Sequence, residues 1–110
     1  MEEFESVAFQ IISSVGTARS TYIQAIQKAK AGDFKRAEEL IEEGSKIFLE
    51  GHHAHVILLQ REANNKEDHA LPLLIIHAED QLMSAEAFKT IAQEFIDAYK
   101  RIEALEGKAK

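Results

Sequence analysis

Apolar positions along this chain recur every three or four residues, in three long runs separated by two polar breaks. In the first run Phe4, Val7, Ile11, Val15, Ala18, Tyr22, Ala25 and Ala29 step along one face of a helix. Lys28 and Lys30 fall in its last turn, where cations complement the carbonyl end of the helix dipole. Gly32 predicts a left-handed stop and Asp33 the N-cap of the next helix. Gly16 marks either a close packing point or a bend. The second run is Phe34, Ala37, Ile41, Gly44, Phe48, Gly51, His55 and Leu58, and its two glycines and alanine predict close approach by another helix. The polar stretch Asn64-Asn65-Lys66-Glu67-Asp68 reads as a loop. A third helix starts near Pro72, a residue tolerated in a first turn, with a seam of Ile76, Asp80, Met83, Ala87, Ile91, Glu94 or Phe95, Ala98, Ile102 and Leu105.

Each helix is expected to hold about 30 residues and to reach about 45 Å. Helices of that length joined by short turns predict an all-α fold, an antiparallel three-helix up-down-up bundle forming a single domain over residues 1–110. Leu73-Leu74-Ile75-Ile76 is apolar all the way round, so that turn needs cover on every side. With 45% of the residues hydrophobic, three helices of one chain do not suffice, and a larger bundle built from several chains is expected. Ala31-Gly32-Asp33-Phe34-Lys35-Arg36-Ala37 looks like the turn of a tetratricopeptide hairpin. No second copy follows at the required period, so the likeness is local.

Composition narrows the chemistry. There is no cysteine, which removes disulfides, thiolate nucleophiles and cysteine-type zinc sites. The net charge of −6, with basic residues scattered among acids at helical spacing, argues against a nucleic-acid partner. The start Met1-Glu2-Glu3-Phe4 is acidic where a signal peptide would be basic, and no run has membrane-spanning length, so a cytoplasmic protein without direct membrane insertion is expected.

The histidines are His52, His53, His55, His69 and His77. His52 and His55 share a helix face and could grip a metal, but two imidazoles make half a site and nothing at matching spacing completes it. His53 is expected at the surface, and nothing marks His69. His77 follows four large apolar residues. Histidine as a residue type can offer a neutral, nucleophilic ring near neutral pH, and without cysteine or a G-x-S-x-G serine motif His77 is the best covalent nucleophile of the chain. Asp80 occupies a seam position between Ile76 and Met83, where a bundle helix wants an apolar group. A carboxylate buried there must be hydrogen-bonded, paired, protonated or metal-bound. His77 and Asp80 are three apart and neighbours on the helix surface. Spacing alone does not separate an orienting Asp–His pair from two independent roles.

Several stretches together resemble the lactose/cellobiose-type IIA component of the bacterial phosphoenolpyruvate-dependent sugar phosphotransferase system (PTS). They are Phe9-Gln10-Ile11-Ile12-Ser13-Ser14-Val15-Gly16-Thr17-Ala18-Arg19-Ser20, the turn Ala29-Lys30-Ala31-Gly32-Asp33-Phe34, Glu50-Gly51-His52-His53-Ala54-His55 continuing to Ala63, and above all His77-Ala78-Glu79-Asp80-Gln81-Leu82-Met83. The resemblance implies a homotrimer, in effect a nine-helix bundle. It implies that His77 is the phosphoryl acceptor, and that Asp80 from each subunit meets its mates at the threefold axis around a divalent cation, Mg2+. The implied donor is phospho-HPr, the implied acceptor a cysteine of the cognate IIB protein, and the sugar is handled by the membrane IIC protein. Glu79 and Gln81 depart from the usual family residues, glutamine and histidine, and His55 stands where glutamine is usual. Both Glu79 and Gln81 are expected near the phosphoryl site, where a carboxylate would oppose the phosphate. The alternative is a non-catalytic helical regulatory or adaptor paralogue of the same fold, and the sequence does not specify the sugar.

Overall fold

The computed structural model describes residues 2–64 and 73–109, with side chains from 5 to 64 and from 73 to 107. Most of the expected loop, together with His69 and Pro72, lies outside the described residues. The described residues form three helices and no strand: α1 spans Glu2–Lys30, α2 Phe34–Asn64 and α3 Leu73–Ala109. The bundle is a rod of 67 × 18 × 18 Å. α1 packs along both other helices, whereas α2 and α3 touch each other sparsely.

Two core clusters fix the direction of the chain. Ala8, Ile11 and Val15 of α1 pack with Ala54 and Leu58 of α2 and with Ile75, Ala78, Leu82 and Ala85 of α3. Further along, Ala18, Tyr22, Ala25 and Ala29 pack with Ala37, Leu40 and Ile41 and with Ala92 and Ile96. The start of α1 thus meets the end of α2 and the start of α3, which is the expected up-down-up order.

The first turn forms as its residues dictate. Gly32 takes φ 88°, a left-handed conformation that side chains disfavour. Its amide reaches the Ala29 carbonyl at 3.0 Å and the Asp33 amide reaches that of Lys28 at 2.9 Å, a Schellman closure. Asp33 Oδ1 then accepts from the Arg36 amide at 3.2 Å and caps α2. Within the chain Gly16 is not a point of close approach, because a Cβ there would meet nothing within 4 Å.

The glycines of α2 admit α1 as expected. A Cβ on Gly44 would lie 2.6 Å from Tyr22 Cε1, and one on Gly51 would lie 2.8 Å from Val15 Cγ1. Tyr22 and Val15 are buried between the helices, so a new Cβ must displace them or push α2 away. Gly44→Val and Gly51→Val are each expected to lower stability by about 2–3 kcal/mol, since overpacking outweighs the gain in helix propensity. Urea titration followed by circular dichroism measures it; variants as stable as wild type would show that the helices can part without loss.

α3 departs from expectation. Its inward residues are Ile75, Ala78, Leu82, Ala85, Ala92 and Ile96. The seam expected to face the core, Ile76, Asp80, Met83, Ala87, Ile91, Glu94 or Phe95, Ala98, Ile102 and Leu105, is exposed from end to end. The cause is a helix apolar on two opposite sides, for which one period fits both faces. The smaller residues were taken inward, where they let α1 come close. The bulkier ones cover the outside, with Met83 67% and Leu105 63% exposed.

Candidate functional site

The histidine singled out by the sequence stands near the start of α3. Ala78 is fully buried against α1 and acts as a pivot that turns the preceding residue outward. His77 is accordingly exposed rather than set into the core. It lines a shallow, mostly apolar depression with Leu73 and Leu74, and the neighbouring Leu73 and Ile76 are exposed. An accessible imidazole with greasy surroundings can meet a partner's reactive group and exclude water once covered.

Asp80 is exposed as well, on the outer apolar face between Ile76 and Met83. Within one chain it therefore escapes the cost of burial, and that cost arises only if another molecule covers this face. Among the described residues no group of three or more histidine, cysteine, aspartate or glutamate side chains could hold a metal ion.

Glu79 and Gln81 do not share a side of α3. Two residues along a helix place side chains about 160° apart around the axis, so Glu79 points to the opposite flank from His77. There it meets α2: the Nε2–H of His55 donates to Glu79 Oε1 at 3.0 Å. The expected confrontation between the Glu79 carboxylate and a phosphate on His77 is thus absent within the chain. Gln81, at half-buried depth, stays on the His77 side, about 40° away around the axis.

Among the described residues the remaining histidines form no joint site. His52 is exposed and stacks on Phe48 with ring centroids 6.2 Å apart, while His55 turns to Glu79. His53 is exposed as expected. Further polar contacts among the described residues tie α3 to the bundle. Arg19 donates to Ser84 Oγ at 3.2 Å, and Lys100 donates to Glu38 at 2.7 Å, which holds the Lys100 ammonium above its ordinary pKa. Sequence spacing gave no sign of the His55–Glu79 contact, because its partners lie 24 residues apart on separate helices.

Comparison with known proteins agrees with this architecture. The family described as "PTS system, Lactose/Cellobiose specific IIA subunit" matches residues 6–100. A lactose-specific EIIA component of Staphylococcus aureus is 37% identical over 100 residues, covering 91% of this chain and 96% of that protein. The crystal structure of the cellobiose-specific enzyme IIA from Bacillus anthracis superposes with a TM-score of 0.87 at 40% identity, covering 94% of each chain. The IIA(Chitobiose) of Escherichia coli, solved in complex with HPr, shares the fold with a TM-score of 0.75 at 24% identity, covering 94% of this chain and 99% of that one. With the helical rod, the exposed His77 and a match over most of its length, the chain belongs to the lactose/cellobiose-specific IIA family of the phosphotransferase system.

Proposed function

We propose that the chain is a phosphocarrier of sugar uptake, taking a phosphoryl group from phospho-HPr onto His77 and handing it to a cysteine of a IIB protein. The observation that carries it is the exposed imidazole of His77 beside the apolar depression of Leu73 and Leu74, in a chain of the IIA family. A ring nitrogen of neutral His77, Nε2 by the family likeness, attacks phosphorus in line. The P–N bond of the donor breaks as the new one forms. In the second step the IIB thiolate attacks, and the phosphoryl group leaves His77 for sulfur. Both steps rest on positioning and electrostatics. Leu73 and Ile76 at the docking surface exclude water and guard the P–N bond from hydrolysis. That the E. coli relative was solved with HPr supports the donor. The relatives above are named for lactose, cellobiose and chitobiose, so no one sugar follows. Because phospho-HPr is a cytoplasmic donor, the chain works in the cytoplasm, and no helix among its described residues is long and apolar enough to cross a membrane.

The outer face of α3 supports self-association, since an apolar stripe of this length marks an interaction surface. Three copies meeting along it in parallel give the homotrimer implied by the family likeness, with their Asp80 side chains converging. Three carboxylates fit a hard divalent cation such as Mg2+, held by Asp80 of each subunit, and the ion would neutralise their mutual repulsion. Asp80→Leu is expected to abolish the metal content of the purified protein while leaving a trimer in sedimentation, because leucine suits the apolar face. A variant that keeps its metal would move the site elsewhere.

Incubation with phosphoenolpyruvate, enzyme I and HPr tests the phosphocarrier. Transfer of an acid-labile phosphate to the peptide containing His77 is the expected outcome. A chain that stays unmodified while HPr is phosphorylated would leave the non-catalytic paralogue as the answer.

A further inference from the structure

We infer that the His55–Glu79 hydrogen bond is a positioning contact that sets the rotation of α3 and so fixes the side on which His77 is presented, an inference that rests on His77 being the phosphoryl acceptor. α3 offers apolar side chains on two opposite faces, and the outer one, with Ile76, Met83, Ile91 and Phe95, is bulkier than the inner one, with Ile75, Ala78, Leu82 and Ala85. Apolar burial alone therefore ranks neighbouring rotations weakly. A roll of half a turn would bury the carboxylates of Asp80 and Glu94 and is excluded by their desolvation cost, whereas a smaller roll shifts His77 along its flank without burying them. Polar contacts that exist in only one setting narrow that range.

Among the described residues, Glu79 reaches His55, Lys100 reaches Glu38 and Arg19 reaches Ser84. Lys100 and Glu38 are 43% and 62% exposed, so water replaces that contact easily. The His55 side chain is 18% exposed against 42% for Glu79, so losing Glu79 leaves a polar ring with limited access to water. The contact also sits where it is most needed. α2 and α3 touch sparsely, and Glu79 is two residues from His77 on the same helical turn. With Glu79 held toward α2, His77 is held on the opposite flank, about 160° away. Glu79 thereby acts through helix rotation, without touching the reacting atoms.

The test compares phosphoryl acceptance from phospho-HPr by the full chain, by His55→Ala, by Glu79→Ala and by the exchanged pair His55→Glu with Glu79→His. Each single variant is expected to accept phosphate about tenfold more slowly, since small misplacements of a reacting group act strongly on rate. The exchanged pair can remake the bond in the opposite sense and is expected to return to within about twofold of wild type. In NMR spectra of His55→Ala the cross-peaks between α2 and the first turns of α3 should change, while those at the far end of the bundle stay as in wild type. Single variants that accept phosphate at the wild-type rate would overturn the inference, as would an exchanged pair as slow as the singles. His55→Gln offers a milder single variant should His55→Ala fold poorly. A wild-type chain that takes no phosphate would instead overturn the phosphocarrier function, and this positioning role with it.

Discussion

His77→Ala is expected to accept no phosphate, a loss of more than about 1,000-fold, because among the described residues no other group is placed to take over as nucleophile. Cysteine is absent, His52 and His53 lie on α2, and His55 is engaged with Glu79. The fold should not notice the change. His77 is exposed and the adjacent core residue is Ala78, so the melting transition should move by no more than the equivalent of about 0.5 kcal/mol. Mass spectrometry after incubation with phosphoenolpyruvate, enzyme I and HPr reads the first quantity, and a thermal scan reads the second. Phosphate on the alanine variant would reassign the acceptor; a collapsed melting curve would make His77 a structural residue.

Ile91→Glu is expected to turn the proposed trimer into folded monomers. Ile91 is 44% exposed in the single chain, midway along the outer face of α3, so glutamate there is solvated and the bundle keeps its core. In a trimer the same position brings three carboxylates into an apolar interface, at a desolvation penalty of several kcal/mol per ion. Sedimentation equilibrium should move from about three times 12.4 kDa to 12.4 kDa, with helical content unchanged. A wild type already monomeric would leave the apolar stripe without a second copy to cover it. A variant that remains trimeric would place the interface elsewhere.

How far the sequence reached differs from helix to helix. α1 and α2 expose single apolar residues such as Phe9 and Leu49 but no second continuous apolar stripe, so periodicity identified inward residues, from Val15 and Tyr22 to Ile41 and Leu58. The turn was equally legible, because Gly32 and Asp33 are residues that local backbone chemistry requires there. α3 defeated the same reasoning. Apolar on two sides, it fits a three-four pattern in either orientation, and the bulkier stripe was taken for the core although Ala78, Ala85 and Ala92 face inward. Asp80 looked out of place for that reason. It lies on a surface whose burial depends on other copies. His77 was legible by residue type, but its exposure follows from the rotation of α3, and that rotation depends on contacts such as His55–Glu79 that join distant parts of the chain.

The outer stripe of α3 also carries a period. Ile76, Ala87 and Ala98 are spaced by eleven residues, and so are Asp80, Ile91 and Ile102, and Met83, Glu94 and Leu105. An eleven-residue repeat corresponds to about 3.67 residues per turn, close to the natural winding of a straight helix and on the opposite side of it from the heptad. Helices that meet along such a stripe keep it facing inward without wrapping round one another to the left. Copies of α3 can then run side by side as nearly straight rods over about 55 Å, so that one helix rotation, set near His77, holds along the whole shared axis.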